Sequence, residues 1–121
     1  MPEMRIRPVT TREQSQIARL EGLSIQELEA DLGTGLGTLA PGVGPVEATK
    51  SWLSSHTAEV RRAICTEGRW CEFAKSHRRS GFIEIVAAVS DVVSGIAGGL
   101  PVYSLSALLF RQGLDSFCDC D

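Results

Sequence analysis

The longest apolar run of the chain extends from Phe82 to Phe110 and is broken in its middle by Gly98-Gly99-Leu100-Pro101. On a helical wheel over 82–97, Glu84, Ala88, Asp91, Gly95 and Gly98 fall on one stripe, while Phe82, Ile83, Ile85, Val86, Val89, Val92, Val93 and Ile96 fill the remaining face. Spacings of three and four, together with the alanines, predict helix here although valine and isoleucine are mediocre helix formers. Gly98-Gly99 ends this helix and Pro101 opens a second over about 101–113, so an antiparallel apolar hairpin is expected within 82–117. A bilayer crossing needs about 20 apolar residues, and a central Asp adds about 2.5–3.5 kcal/mol to its cost. Each arm falls short of that length, so the expected place for the hairpin is against protein, with an interfacial or re-entrant position as the alternative.

Upstream, Met4 to Val9 alternates like a short extended arm or an edge strand, and Pro8 restricts it to an edge. Thr10 followed by Glu13 forms a capping-box pattern, which predicts a helix over 11–21 with Ile17 and Leu20 on its inner face. Ser24 and Glu27 repeat the pattern and predict a helix over 25–32, carrying Leu28 and Leu32 and stopping at Gly33. The Gly/Pro-rich stretch 34–45 reads as a surface loop with Leu36, Leu39 and Val43 tucked inward. From Pro45 the helical pattern returns through Trp52, Leu53, His56, Val60 and Ile64 as one long helix or two, since Ser54, Ser55 and Thr57 can cap a fresh start at about 57 and Gly68 can interrupt the run before Trp70, Cys71, Phe73 and Ala74. The fold class expected is therefore all-α: a small helical domain with a short extended N-terminal arm and a C-terminal apolar hairpin. Residues 1–44 hold the arm, two short helices and the loop; 45–121 hold the helical core.

Leu23-Ser24-Ile25-Gln26-Glu27-Leu28-Glu29-Ala30-Asp31-Leu32-Gly33 resembles an early helix of bacterial helix-turn-helix regulators, whose pattern is Leu-Ser-x-x-Glu-Leu-x-x-x-Leu-Gly. That resemblance implies duplex DNA as a partner and a basic recognition helix directly afterwards. The next twelve residues, 34–45, contain no basic side chain. Gly33-x-Gly35-x-Gly37 lacks the Gly-Lys-Ser/Thr of a phosphate loop and follows a helix rather than a strand, which argues against nucleotide binding.

Hydrophobic residues at 43% and charged residues at 22% place the chain among folded globular domains rather than disordered ones. The net charge of −3 conceals a strong asymmetry, because 61–79 carries six basic and two acidic side chains while 80–121 carries one and five. Arg61, Arg62, Arg69, Lys75, Arg78 and Arg79 are thus candidates for contact with an anionic surface. The segment Met1 to Arg7 has no apolar run behind its charges, so no signal peptide is expected and the cytoplasm, with membrane association as an option, is the expected location. In that compartment Cys65, Cys71, Cys118 and Cys120 are expected as reduced thiols, with tail disulfides or redox cycling as the alternative.

Those cysteines with His56 and His77 supply zinc-binding residue types, but the spacings Cys-x₅-Cys and Cys-x-Cys differ from the knuckles of structural zinc sites. No metal or cofactor is expected, and no Ser/His/Asp set or carboxylate pair has a spacing that points to an enzyme. Arg111 lies about as far after the hairpin turn as Ala88 lies before it, which predicts a buried ion pair with Glu84 or Asp91. Trp52, Trp70, Phe73 and Phe110 are the candidate contact anchors, and Gly95 and Gly99 have the Gly-x-x-x-Gly spacing that lets helices approach closely. The function expected is non-enzymatic: self-association or binding of a partner subunit through the hairpin. The alternative is a membrane-active protein, such as a small toxin or bacteriocin-like or defence effector, that inserts the hairpin into anionic membranes.

Overall fold

The computed structural model describes residues 4–35, 44–96 and 101–120, and all of its regular structure is helical. Thr10 Oγ1 accepts from the Glu13 amide at 3.1 Å while the Glu13 carboxylate accepts from the Thr10 amide at 3.2 Å, and this closed box starts α1 (Thr11–Glu21). Ser24 and Glu27 make the same exchange at 3.1 and 2.9 Å ahead of α2 (Ile25–Gly35). Pro45 occupies the first turn of α3 (Pro45–Arg61), which runs into a π-helical turn, Arg62–Glu67. After Gly68 and the left-handed Arg69 (φ 56°) come α4 (Trp70–Ser76), α5 (Phe82–Val93), α6 (Val102–Gln112) and a last short turn, α7 (Leu114–Phe117).

The core forms around α5 and α6. Ile85 to Ser90, Val92 and Val93 of α5 are buried, as are Ser104 to Leu109 of α6. Phe82 meets the edge of Phe110 at 5.8 Å between centroids, and Ser90 Oγ donates to the Val86 carbonyl at 2.7 Å and lies 3.0 Å from Ser106 Oγ. Ile17 and Leu20 of α1, Leu28 and Leu32 of α2, and Val60 and Ile64 at the π-helical turn cover the two helices. Full burial of each such side chain contributes about 1.5–3 kcal/mol. The described part of the apolar run is thus covered by its own chain, and the one large hydrophobic residue among those described that is left exposed is Ile25, at 40%.

Two local expectations are corrected. Gly33 does not stop α2; it is buried inside the helix, where a Cβ would overlap the backbone of Pro45, and so it permits the close packing of α2 on α3. Thr49 Oγ1 of α3 seals that contact with a buried 2.6 Å hydrogen bond to the Glu29 carbonyl. The arm is not a strand: residues 4–10 have no regular structure, with Met4 buried and its amide donating to the Gly68 carbonyl at 3.2 Å.

The cysteines are not free. Cys65 pairs with Cys118 and Cys71 with Cys120, so the segment after α6 is fastened to the π-helical turn and to α4. In one continuous α-helix, residues 65 and 71 would be turned about 240° apart. The π-helical turn and the left-handed Arg69 break that phase, and both sulfurs reach the same tail. The turn containing Gly98 and Gly99, and most of the loop with Leu36, Leu39 and Val43, lie outside the described residues.

Candidate functional site: the cationic turn between α4 and α5

Helix α4 is short, and its residues divide between inner and outer roles. Trp70 and Phe73 point into the core at 5% and 6% exposure, with ring centroids 5.8 Å apart. His77, the residue that closes α4, stacks on Phe73 at 4.3 Å and places Nδ1 3.0 Å from the Phe73 carbonyl. A carbonyl only accepts, so Nδ1 carries a proton in that contact and Nε2 is left for another partner. The chain turns through 78–81, with the Ser80 amide donating to the His77 carbonyl at 3.1 Å, and α5 begins where Glu84 accepts from the Gly81 amide at 3.3 Å.

This turn borders a cavity of about 360 Å³ whose lining includes Trp70, Ile85 and Phe110 as apolar walls and Lys75, His77 and Arg78 as polar ones. The Cys71–Cys120 disulfide forms part of the same lining. Among the described residues its one carboxylate is Asp115, which accepts from the Trp70 indole Nε1 at 2.9 Å. A second depression shares Lys75, His77, Arg78 and Ser80 and adds Arg79 and Glu84, so the two form one continuous surface.

The six basic residues picked out along 61–79 divide into two groups. Arg61 donates to the Phe117 carbonyl at 3.2 Å and lies over the Phe117 ring; Arg62 pairs with Glu67 at 3.6 Å; Arg69 pairs with Glu72 at 2.6 Å. Lys75, Arg78 and Arg79 are exposed and have no carboxylate within ion-pair distance among the described residues. Three uncompensated cations therefore gather at one turn of a protein whose overall charge is negative.

The ion pair expected across α5 and α6 is not made. Asp91 accepts from Arg7 Nε at 2.7 Å, Glu84 caps the start of α5, and Arg111 donates to the carbonyls of Glu21 and Leu23 at 3.1 and 3.0 Å, covering the end of α1. Both carboxylates are exposed, so no buried charge had to be matched. Of the contact anchors, Trp70 and Phe73 are spent in the core, Phe110 is half-buried at the cavity, and Trp52 is half-buried against His56 at 4.3 Å. Gly95 is exposed, with nothing near the place a Cβ would take, and Gly99 lies outside the described residues. The thiols considered for zinc are consumed as disulfides, and no three His, Cys, Asp or Glu among the described residues are grouped to hold a metal.

A second polar cluster, missed in the sequence, joins the N-terminal segment to the core. Arg7 donates to both oxygens of Glu13, at 3.0 and 2.7 Å, and to Asp91, while the Tyr103 hydroxyl donates to Glu13 at 2.8 Å. Arg7 first, and Tyr103 second, hold the Glu13 carboxyl down to about 2; burial first, then the hydrogen bond to Glu13 and the charge of that carboxylate, push the Tyr103 phenol up. All four groups are satisfied by one another, so this cluster is structural.

No family model, curated protein or solved structure matches the chain. No helix among the described residues is long and apolar enough to cross a membrane.

Proposed function

We propose that this protein is a non-enzymatic binding domain, fastened by two disulfides, that engages the acidic surface of a partner protein through Lys75, Arg78 and Arg79. The observation that carries the reading is their lack of any carboxylate partner among the described residues while Arg61, Arg62 and Arg69 are engaged within the chain. We retain the partner binding expected from the sequence and move it from the hairpin to this turn. The antiparallel hairpin of α5 and α6 acts as the core that positions α4 and the turn, since its apolar residues are already covered. The same burial weighs against self-association or membrane insertion through that hairpin, because either would first require α1 and α2 to leave it. Two disulfides suit an oxidising compartment better than a reducing cytoplasm.

Charge complementarity of this kind acts on association and is screened by salt. Polyglutamate immobilised on a sensor is a suitable acidic probe. The wild-type chain binds it at low salt and releases at high salt, and the Lys75→Gln/Arg78→Gln/Arg79→Gln protein binds at least about tenfold more weakly. Equal binding by the two proteins removes the reading, as does binding that is lost on substituting Arg5 and Arg12 instead.

A further inference from the structure

Resting on that reading, we infer that the cavity beside the cations is an anchor pocket, and that the partner presents an acidic peptide segment that inserts one large apolar side chain between Trp70, Ile85 and Phe110. The cavity's volume, about 360 Å³, lies at the small end of the roughly 300–1,000 Å³ range of ligand sites, which suits a single side chain. Its chemistry is divided by depth. Trp70 and Ile85 are buried, whereas Lys75 and Arg78 are exposed, so the apolar part lies inward of the charged part.

Asp115 decides which group goes in. Asp115 is exposed at the mouth of the cavity, where its carboxylate accepts from the Trp70 indole, so an acidic side chain entering past it would meet a like charge. The inserted group is therefore uncharged, and the carboxylates of the segment stay outside over Lys75, Arg78 and Arg79. Interfaces commonly concentrate their energy in such an arrangement, with a desolvated aromatic or aliphatic anchor flanked by charge pairs. The walls are also held before binding: Trp70 by Asp115, and the tail by the Cys71–Cys120 disulfide. Pre-formed walls spare the partner the cost of ordering them. A lipid surface fits less well, because the cations flank a concave site walled by a disulfide, and Ile25, the exposed large apolar residue among those described, lies on α2.

The test is selection of a random twelve-residue peptide library, displayed on phage, against the oxidised full-length chain. Enriched peptides are expected to carry Asp or Glu around a single Phe, Trp, Leu or Met. Replacing that anchor with Ala weakens a synthetic peptide at least about tenfold. Ala74→Phe, which fills the cavity from its lining, abolishes the preference for the anchor but keeps the salt-sensitive attraction; Lys75→Gln/Arg78→Gln weakens anchored and unanchored peptides alike. If enriched peptides are acidic but bind equally with Ala in place of the anchor, the pocket inference falls and the acidic-partner reading stands. If nothing is enriched, if the peptides are not acidic, or if the chain binds anionic vesicles alone, both fall.

Discussion

Arg7 Nε donates to Asp91 Oδ2 at 2.7 Å and so fastens the segment before α1 to the outer side of α5. The same guanidinium holds Glu13 through its two terminal nitrogens, and one arginine thereby joins three parts of the chain. Arg7→Ala should destabilise the protein by about 1–3 kcal/mol in urea unfolding, since it removes the charged donor shared by Glu13 and Asp91. Asp91→Asn, at a carboxylate 45% exposed, should cost less than about 1 kcal/mol. The reverse order would mean that the N-terminal segment is not organised around Arg7.

Glu13 gives the acid response a definite window. Its carboxyl is held at about 2 in the folded chain against an ordinary value of 4.5, so the folded state prefers the ionised form. The stability that follows is complete above about 4.5 and is lost as pH falls from there to about 2. Glu13→Gln should be less stable than wild type at neutral pH and should show a shallower decline through that window. Parallel curves for the two proteins would assign the acid response to other groups.

Gly33 and Pro45 set the spacing of α2 and α3. A Cβ at residue 33 would overlap backbone, which cannot swing aside as a side chain can. Gly33→Ala should therefore lower stability by about 2–4 kcal/mol, despite the better helix propensity of alanine. Gly22→Ala, where nothing lies within 4 Å of the added carbon and φ is −83°, should be neutral or slightly stabilising. Thermal unfolding of the two variants checks the contrast.

The two disulfides close long segments, with partners 53 and 49 residues apart, and each should contribute about 2–4 kcal/mol. Peptide mapping without reduction should recover Cys65 joined to Cys118 and Cys71 joined to Cys120. A peptide joining Cys65 to Cys118 together with a free Cys71 would contradict the second bridge and the cavity wall it forms.

What the sequence made legible was local. The box of Thr10 and Glu13 and the one of Ser24 and Glu27 act within four residues, so the starts of α1 and α2 could be read directly. Pro45 and Gly68 mark α3 and its interruption for the same reason. Relationships set by packing were not legible. The disulfide pairing depends on a π-helical turn that no periodicity announces, and Gly33 reads as a stop until α3 is seen against it. The charge of Arg111 suggests a carboxylate partner, yet its guanidinium donates to the carbonyls at the end of α1. The candidate site was visible only as a basic run; which cations are spent within the chain depends on Glu67, Glu72 and Phe117 in space.

An amide NMR titration of the oxidised chain with a short oligoglutamate peptide tests whether an acidic partner binds the turn after α4. Binding at this turn should give shifts concentrated at Lys75 to Ser80 and the start of α5, lost in the Lys75→Gln/Arg78→Gln/Arg79→Gln protein. Shifts centred on Arg5 and Arg12, or spread evenly over the surface, would contradict it.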